Sequence, residues 1–127
     1  MKALIVDDNR TTGNFMVRCL TSDGVETRIV RNGYQAMHLL NHDPSIDVTV
    51  IDLMMPRISG FELIEWIRSA SPRKDLPVVI CSSMRDIDTM RKAASLGCRQ
   101  YLAKPVRKRQ LYEKVWAAIS QAPVQAT

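Results

Sequence analysis

The sequence has few cysteines and no long apolar run, and each scarcity excludes a class of protein. Its three cysteines, Cys19, Cys81 and Cys98, are an odd number and form no CxxC pair, which argues against a disulfide framework and against a zinc site. We therefore expect three reduced thiols, buried as small apolar groups. The apolar runs are strand-sized, far below the roughly 18 residues that a membrane-spanning helix needs.

The start of the chain does not have the pattern that we expect of a secretory signal. The sequence turns acidic at Asp7 and Asp8, too early for the apolar core of a signal peptide. We expect a cytoplasmic protein that does not enter a membrane. The net charge of +5 could favour nucleic acid or an acidic partner surface, but a charge of this size is also an ordinary solubility feature. We do not expect this domain itself to bind nucleic acid.

The length and composition fit a single domain. The chain has 127 residues, of which 46% are hydrophobic and 24% are charged, enough to fill one core and to keep it soluble. The last residues carry no pattern. We predict one folded domain over residues 1–121, followed by a flexible tail or the start of a linker over residues 122–127.

Short apolar runs alternate with segments of helical spacing. Five runs predict strands, at residues 3–6, 25–30, 48–51, 78–81 and 101–103. The segments between and after them predict helices whose core-facing stripes are Met16, Cys19 and Leu20; Ala36, Leu39 and Leu40; Leu63, Ile64 and Ile67; Ile87, Met90 and Ala94; and Leu111, Val115 and Ile119. This alternation predicts an α/β fold, a flavodoxin-like (βα)5 three-layer sandwich with a parallel sheet of order 2-1-3-4-5.

Two helix boundaries have clear signals. Ser59, with Glu62 three places later, predicts a capping box at the start of the third helix. Gly97 predicts the end of the fourth helix, which we place over residues 84–96.

Acidic residues follow two of the predicted strands. Asp7 and Asp8 follow the first strand, and Asp52 follows the third. In this topology both strands end at the same edge of the sheet, beside the switch point where open α/β sheets bind ligands. We expect Asp8 and Asp52 to bind Mg²⁺ directly, Asp7 through water, and the backbone carbonyl of Met54 to add a neutral ligand. The alternative is that Asp7 and Asp8 only cap the first helix and Asp52 only ends a strand.

Two more polar residues belong to the same edge. Lys104 follows the fifth strand, and its point charge suits a carboxylate or a phosphoryl oxygen. Ser82 ends the fourth strand and offers a hydroxyl. The alternatives are a solvated lysine, and Ser82 or Ser83 as the N-cap of the fourth helix.

Together these residues resemble a family. Val6-Asp7-Asp8-Asn9, the segment from Asp52 to Pro56 with Gly60 after it, Ser82 thirty places after Asp52, and Lys104-Pro105 twenty-two places later make the chain similar to the CheY-like receiver domains of bacterial two-component response regulators. The similarity covers residues 2 to about 120.

The resemblance implies a function for each of these positions. Asp52 would accept a phosphoryl group from a sensor histidine kinase or a histidine phosphotransfer protein, with Mg²⁺ as cofactor. Asp7 and Asp8 would hold the Mg²⁺, while Ser82 and Lys104 would contact phosphoryl oxygens. Ser82 and Tyr101 would act as the switch, and the Lys104-Pro105 peptide bond would be cis.

The resemblance also implies how the signal leaves the domain. The face formed by the fourth helix, the fifth strand and the fifth helix would change shape and control a downstream protein or an output domain. The protein would be a monomer or a phosphorylation-dependent dimer. It would not be an enzyme that acts on other molecules, but a switch that catalyses its own phosphorylation and dephosphorylation.

The alternative function is an enzyme of the same topology, either a flavodoxin-like protein that binds a small molecule or an aspartate-dependent phosphatase. A flavodoxin-like protein would bind phosphate through a loop rich in Ser, Thr and Gly after the first strand. This chain has Asp7 and Asp8 there, which would repel a phosphate in the absence of metal.

Overall fold

The structure, a computed structural model, describes residues 1–121. Five strands alternate with five helices: β1 Lys2–Val6, α1 Arg10–Ser22, β2 Glu26–Val30, α2 Gly33–His42, β3 Val48–Asp52, α3 Gly60–Ser69, β4 Val78–Ser82, α4 Ile87–Ser95, β5 Gln100–Ala103 and α5 Lys108–Ser120. The predicted tail over residues 122–127 lies outside the described residues.

All five strands pair in parallel in the order β2-β1-β3-β4-β5, which confirms the predicted fold. Successive side chains of a strand point to opposite faces of the sheet, and both faces are apolar here. Leu4, Ile51 and Ile80 pack with the helices of one face, whereas Ile5, Val50 and Val79 pack with those of the other. A sheet buried on both faces has strands that are apolar throughout.

The beginning of α3 packs closely against the end of β3 and hydrogen-bonds to the residue that follows it. Ser59 and Glu62 form the predicted capping box. Gly60 donates its N–H to the carbonyl of Leu53 at 3.0 Å, and a Cβ on Gly60 would lie 2.4 Å from the backbone oxygen of Asp52. Only a glycine permits this close approach of helix and strand.

The prediction for α4 was wrong in its start and in its buried face. The helix begins at Ile87 with Asp86 as N-cap, so neither Ser82 nor Ser83 caps it. The predicted stripe lies outside: Ile87 is 69% and Met90 43% exposed. A shorter stripe that includes Ala93 packs inward instead.

Two other features of the prediction are confirmed, the state of the cysteines and the end of α4. The three cysteines are free and buried. Gly97, at a φ of +75°, follows the end of α4 as predicted. Within residues 1–121, none of the helices has both the length and the apolar character needed to cross a membrane.

Candidate functional site

Parallel pairing brings the acidic residues together at the carboxyl edge of the sheet. Val6 of β1 pairs with Ile51 of β3, so Asp7 and Asp52 come next on neighbouring strands. Asp7, Asp8 and Asp52 each offer a carboxylate oxygen, and these oxygens lie within 4.8 Å of one another. Asp7 is fully buried and Asp52 is 4% exposed, whereas Asp8 is exposed to solvent.

The carboxylate of Asp7 is only partly satisfied. Its Oδ1 accepts the N–H of Asn9 at 2.8 Å. Its Oδ2 is buried without a hydrogen-bond partner and faces Nζ of Lys104 at 3.5 Å, an ion pair without a hydrogen bond. Asn9, not Asp7 or Asp8, is the N-cap of α1, and its side chain accepts the N–H of Thr12. The alternative in which the two acids merely cap the first helix is therefore wrong.

Asp52 lies where a negative charge is costly. Its Oδ1 accepts the N–H of Met54 at 3.1 Å, and its Oδ2 lies 3.3 Å from Nζ of Lys104. Burial raises the pKa of Asp52 to about 6, and the charge of Asp7 adds to this, although the Met54 N–H and Lys104 oppose it. Without further positive charge, the pocket disfavours the ionised form of Asp52.

Lys104 is held inside this pocket and is not freely solvated. Its Nζ lies 3.5 Å from Oδ2 of Asp7 as well as 3.3 Å from Asp52, and its backbone N–H donates to the carbonyl of Ser82 at 3.1 Å. Burial alone would lower the pKa of Lys104, but the charges of Asp52 and Asp7 outweigh it and raise this pKa. The Lys104-Pro105 peptide bond is cis.

Ser82 and Tyr101 both contact the main chain of Met84. The buried hydroxyl of Ser82 accepts the N–H of Met84 at 3.1 Å. The hydroxyl of Tyr101, on the half-buried strand β5, donates to the carbonyl oxygen of the same residue. One residue of the β4–α4 connection thus links the two predicted switch positions.

The residues present fit a hard divalent cation. Three carboxylates converge at one point, and one of their buried oxygens lacks a hydrogen-bond partner. Carboxylate oxygens are the donors that Mg²⁺ and Ca²⁺ prefer. The hydrogen bond from Met54 N to Asp52 also keeps the main chain of Met54, the predicted source of a neutral carbonyl ligand, beside Asp52.

One charged residue of this edge was not singled out from the sequence. Arg31 follows β2, and its Nη1 is buried without a hydrogen-bond partner. A Cβ on Gly13 would lie 2.8 Å from this Nη1 and 3.8 Å from Cβ of Asp7, so the guanidinium occupies space beside the acid cluster. The available signal was its position directly after a strand, where the chain reaches the carboxyl edge.

Comparison with known proteins gives a consistent result. The family model described as "Response regulator receiver domain" matches residues 3–116. The chain is 30% identical over 115 residues to the transcriptional regulatory protein CusR of Escherichia coli, covering 91% of this chain and 49% of CusR. It is 30% identical over 104 residues to the two-component response regulator ORR3 of Oryza sativa, covering 82% of this chain and 79% of ORR3. The chain thus spans about half the length of curated relatives such as CusR.

Solved structures agree in fold. A response regulator receiver protein from Pseudomonas putida superposes with a TM-score of 0.85 at 30% identity, covering 91% of this chain and 95% of that one. The receiver domain of a Francisella response regulator superposes with a TM-score of 0.85 at 27% identity, covering 96% of this chain and 98% of that one.

Proposed function

The chain belongs to the family of response regulator receiver domains of two-component systems, and on this basis we propose that Asp52 accepts a phosphoryl group. A carboxylate oxygen of Asp52 attacks the phosphorus of a phosphohistidine. The P–N bond breaks, its electron pair stays with the imidazole nitrogen, and an acyl phosphate forms. The observation that carries the proposal is the convergence of Asp7, Asp8 and Asp52 within 4.8 Å, with Lys104 at 3.3 Å from Asp52.

Asp7, Asp8, Asp52 and the backbone carbonyl of Met54 would hold Mg²⁺. When bound, the ion would offset the negative charge that gathers where a phosphoryl group meets three carboxylates. The pKa of Asp52 is raised to about 6 by burial and by the nearby charge of Asp7. Added positive charge would therefore help to keep Asp52 ionised, which is the state that attacks phosphorus.

Lys104 and Ser82 would act on the transferred group. Lys104 now divides its charge between Asp7 and Asp52, and it would move onto a phosphoryl oxygen as negative charge shifts there. Ser82, which is 1% exposed at the end of β4, would donate its hydroxyl proton to another phosphoryl oxygen. Both residues position and stabilise the group, and neither becomes covalently bound.

The contacts of Met84 supply a path from the phosphoryl group to the surface. When the hydroxyl of Ser82 turns toward a phosphoryl oxygen, its contact with the N–H of Met84 is rearranged. The carbonyl of Met84, which accepts from Tyr101, is then displaced, and the ring of Tyr101 adjusts. The surface formed by α4, β5 and α5 would change in this way.

The same surface would be the output surface. Ile87 and Met90 expose apolar side chains on α4, as a protein-binding surface requires. A sensor histidine kinase or a histidine phosphotransfer protein would supply the phosphoryl group, and a downstream protein or an output domain would bind the α4–β5–α5 surface. Cytoplasmic location, a monomer or phosphorylation-dependent dimer, and the domain limits at residues 1–121 remain predictions.

The decisive experiment is phosphorylation followed by intact-mass measurement. Three samples are compared. Wild type and Asp52→Asn are each incubated with acetyl phosphate and Mg²⁺, and a third sample contains wild type with acetyl phosphate and a chelator in place of Mg²⁺. We expect one added phosphoryl group on wild type with Mg²⁺, and none in the other two samples. A phosphoryl group on Asp52→Asn, or equal phosphorylation of wild type with and without the chelator, would contradict the proposal.

A further inference from the structure

An arginine stands within or directly after each of the five connections that lead from a strand to the next helix. Arg31, Arg57, Arg85 and Arg107 lie in the connections after β2, β3, β4 and β5, and Arg10 is the first residue of α1. In a parallel sheet all these connections lie at the carboxyl edge. We call these five residues the arginine ring, because they belong to the connections at the same edge of the sheet as Asp7, Asp8 and Asp52.

Most of the ring is exposed to solvent, and its arginines form no salt bridges within the described residues. Arg10, Arg57, Arg85 and Arg107 are exposed to solvent. In the described part of the chain, the salt bridges join other basic residues to acids, and none includes a member of the ring. Asp86, the acid next to Arg85, forms no salt bridge with it, and its carboxylate accepts the N–H and the hydroxyl of Thr89 as the N-cap of α4.

Arg31 carries the positive charge inward. Its Nη2 donates to Oδ1 of Asn14 at 3.0 Å, which fixes the guanidinium beside α1. Its Nη1 is buried without a hydrogen-bond partner and lies over Gly13, next to the side chain of Asp7. The basic rim therefore continues from the exposed arginines into the wall of the pocket.

The opposite edge of the sheet has no such excess. The connections from helices to strands there mix both signs, with Asp23, Asp43, Asp47 and Asp75 against Arg73, Lys74 and Arg99. At the edge that carries Asp52, the connections hold five basic residues, Arg31, Arg57, Arg85, Lys104 and Arg107, against the acids Asp7, Asp8 and Asp86. Of the two edges, only this one has a basic excess. Charge of one sign around a cleft raises the local concentration and the association rate of oppositely charged ligands.

We propose that the arginine ring captures small dianionic acyl phosphates and guides them to Asp52. This inference rests on the proposed function, in which Asp52 is the phosphoryl acceptor, and adds the residues outside the acid cluster that bring a small dianionic phosphodonor to it. In the transfer step, the carboxylate oxygen of Asp52 bonds to phosphorus. The bond from phosphorus to the acyl oxygen breaks, and the donor leaves as a free carboxylate with the electron pair of that bond.

The test compares two triple variants with the same loss of charge. Arg57, Arg85 and Arg107 are each replaced by Gln in the ring variant. They are chosen because their side chains are exposed, whereas Arg31 contacts Asn14. The control variant replaces Arg28, Arg91 and Arg99 by Gln, which are equally exposed and lie on β2, α4 and the α4–β5 connection.

The rate of phosphoryl uptake from acetyl phosphate is followed by intact mass with Mg²⁺ present. At about 0.01 M salt, where the Debye length is about 30 Å, we expect the ring variant to be about 10-fold slower than wild type and the control variant within about 2-fold. At about 1 M salt all three rates should converge. Phosphoramidate, which carries less negative charge than acetyl phosphate, should show a smaller difference between the variants. Circular dichroism establishes that all variants fold.

The outcomes separate the two proposals. If wild type takes up no phosphoryl group, the proposed function fails. If wild type is phosphorylated on Asp52 but both triple variants react equally fast at low salt, the ring does not guide the donor and this inference is overturned. Equal rates together with loss of binding to a DNA duplex by the ring variant alone would also overturn it and assign the ring to nucleic acid.

Discussion

Removing the charge of Asp52 should stabilise the protein in the absence of metal. Burial raises the pKa of this carboxyl from 3.8 to about 6, a shift of about two pH units. At about 1.4 kcal/mol for each pH unit, keeping Asp52 ionised in the folded protein costs up to about 3 kcal/mol. Lys104 loses one of its two acidic neighbours in Asp52→Asn. We therefore expect a gain of about 1–3 kcal/mol in the free energy of unfolding.

The pH dependence of this gain has a definite sign. Because the folded-state pKa of Asp52 is raised, the folded protein holds the proton more tightly than the unfolded chain, and the stability of wild type falls as pH rises from about 4 to about 6. The amide that replaces this carboxyl in Asp52→Asn does not titrate. The two proteins should be equally stable near pH 4, and the difference should be complete above about pH 6.

Urea denaturation of both proteins in EDTA, at several pH values, measures this difference. Asp75→Asn, an exposed residue at the opposite edge of the sheet, is the matched control and should change stability little at any pH. Adding Mg²⁺ should stabilise wild type more than Asp52→Asn, because the variant lacks one proposed ligand. A variant that is less stable than wild type in EDTA at neutral pH would refute the reasoning, since the ion pair with Lys104 would then outweigh burial and repulsion.

Three further substitutions near the start of α3, and one control, Gly24→Ala, are tested by urea denaturation. Gly60→Ala should lose about 3 kcal/mol or more, because its Cβ would lie 2.4 Å from the backbone oxygen of Asp52. Gly24→Ala, where nothing lies within 4 Å, should lose only about 1 kcal/mol from its positive φ. A similar loss in both would contradict the packing argument. Arg57→Gly should gain up to about 1 kcal/mol, because Arg57 has a φ of 70°; a loss would mean that its side chain is needed. Ser59→Ala should lose about 1 kcal/mol with the capping box, and an unchanged midpoint would show that the cap is dispensable.

The order of the sheet and the convergence of Asp7 and Asp52 at one edge were predictable, because both depend on local sequence patterns. Apolar runs and helical spacing alternate without exception, which leaves few topologies open. Once the strands are parallel and β1 neighbours β3, Asp7 and Asp52 must share an edge. The capping box at Ser59 and the glycine after α4 are equally local, and both were found.

The buried face of α4 was not predictable in the same way. Its apolar residues Ile87 and Met90 are exposed, and the buried stripe includes Thr89. Periodicity finds an apolar face but does not say whether the domain's own core or another protein covers it. Thr89 is accommodated because its hydroxyl donates to Asp86, a contact that depends on where the helix begins. The burial of Nη1 of Arg31 likewise depends on the space left by Gly13.

The same arrangement explains why a small chemical change at Asp52 should reach a distant surface. The pocket holds its acids at a cost that burial imposes and that one lysine only partly offsets. In the proposed function, a phosphoryl group on Asp52 would offer Lys104 and Ser82 new oxygen partners. Ser82 and Tyr101 hydrogen-bond to the N–H and to the carbonyl of the same residue, Met84, so we expect a shift of the serine hydroxyl toward a phosphoryl oxygen to move Met84 and to disturb the tyrosine contact. Lys104, which lies beside the acids, donates its backbone N–H to the carbonyl of Ser82, and the exposed apolar side chains of α4 begin three residues after Met84, at Ile87. The route that we propose from the acid cluster to the exposed apolar surface therefore runs through Lys104, Ser82 and Met84.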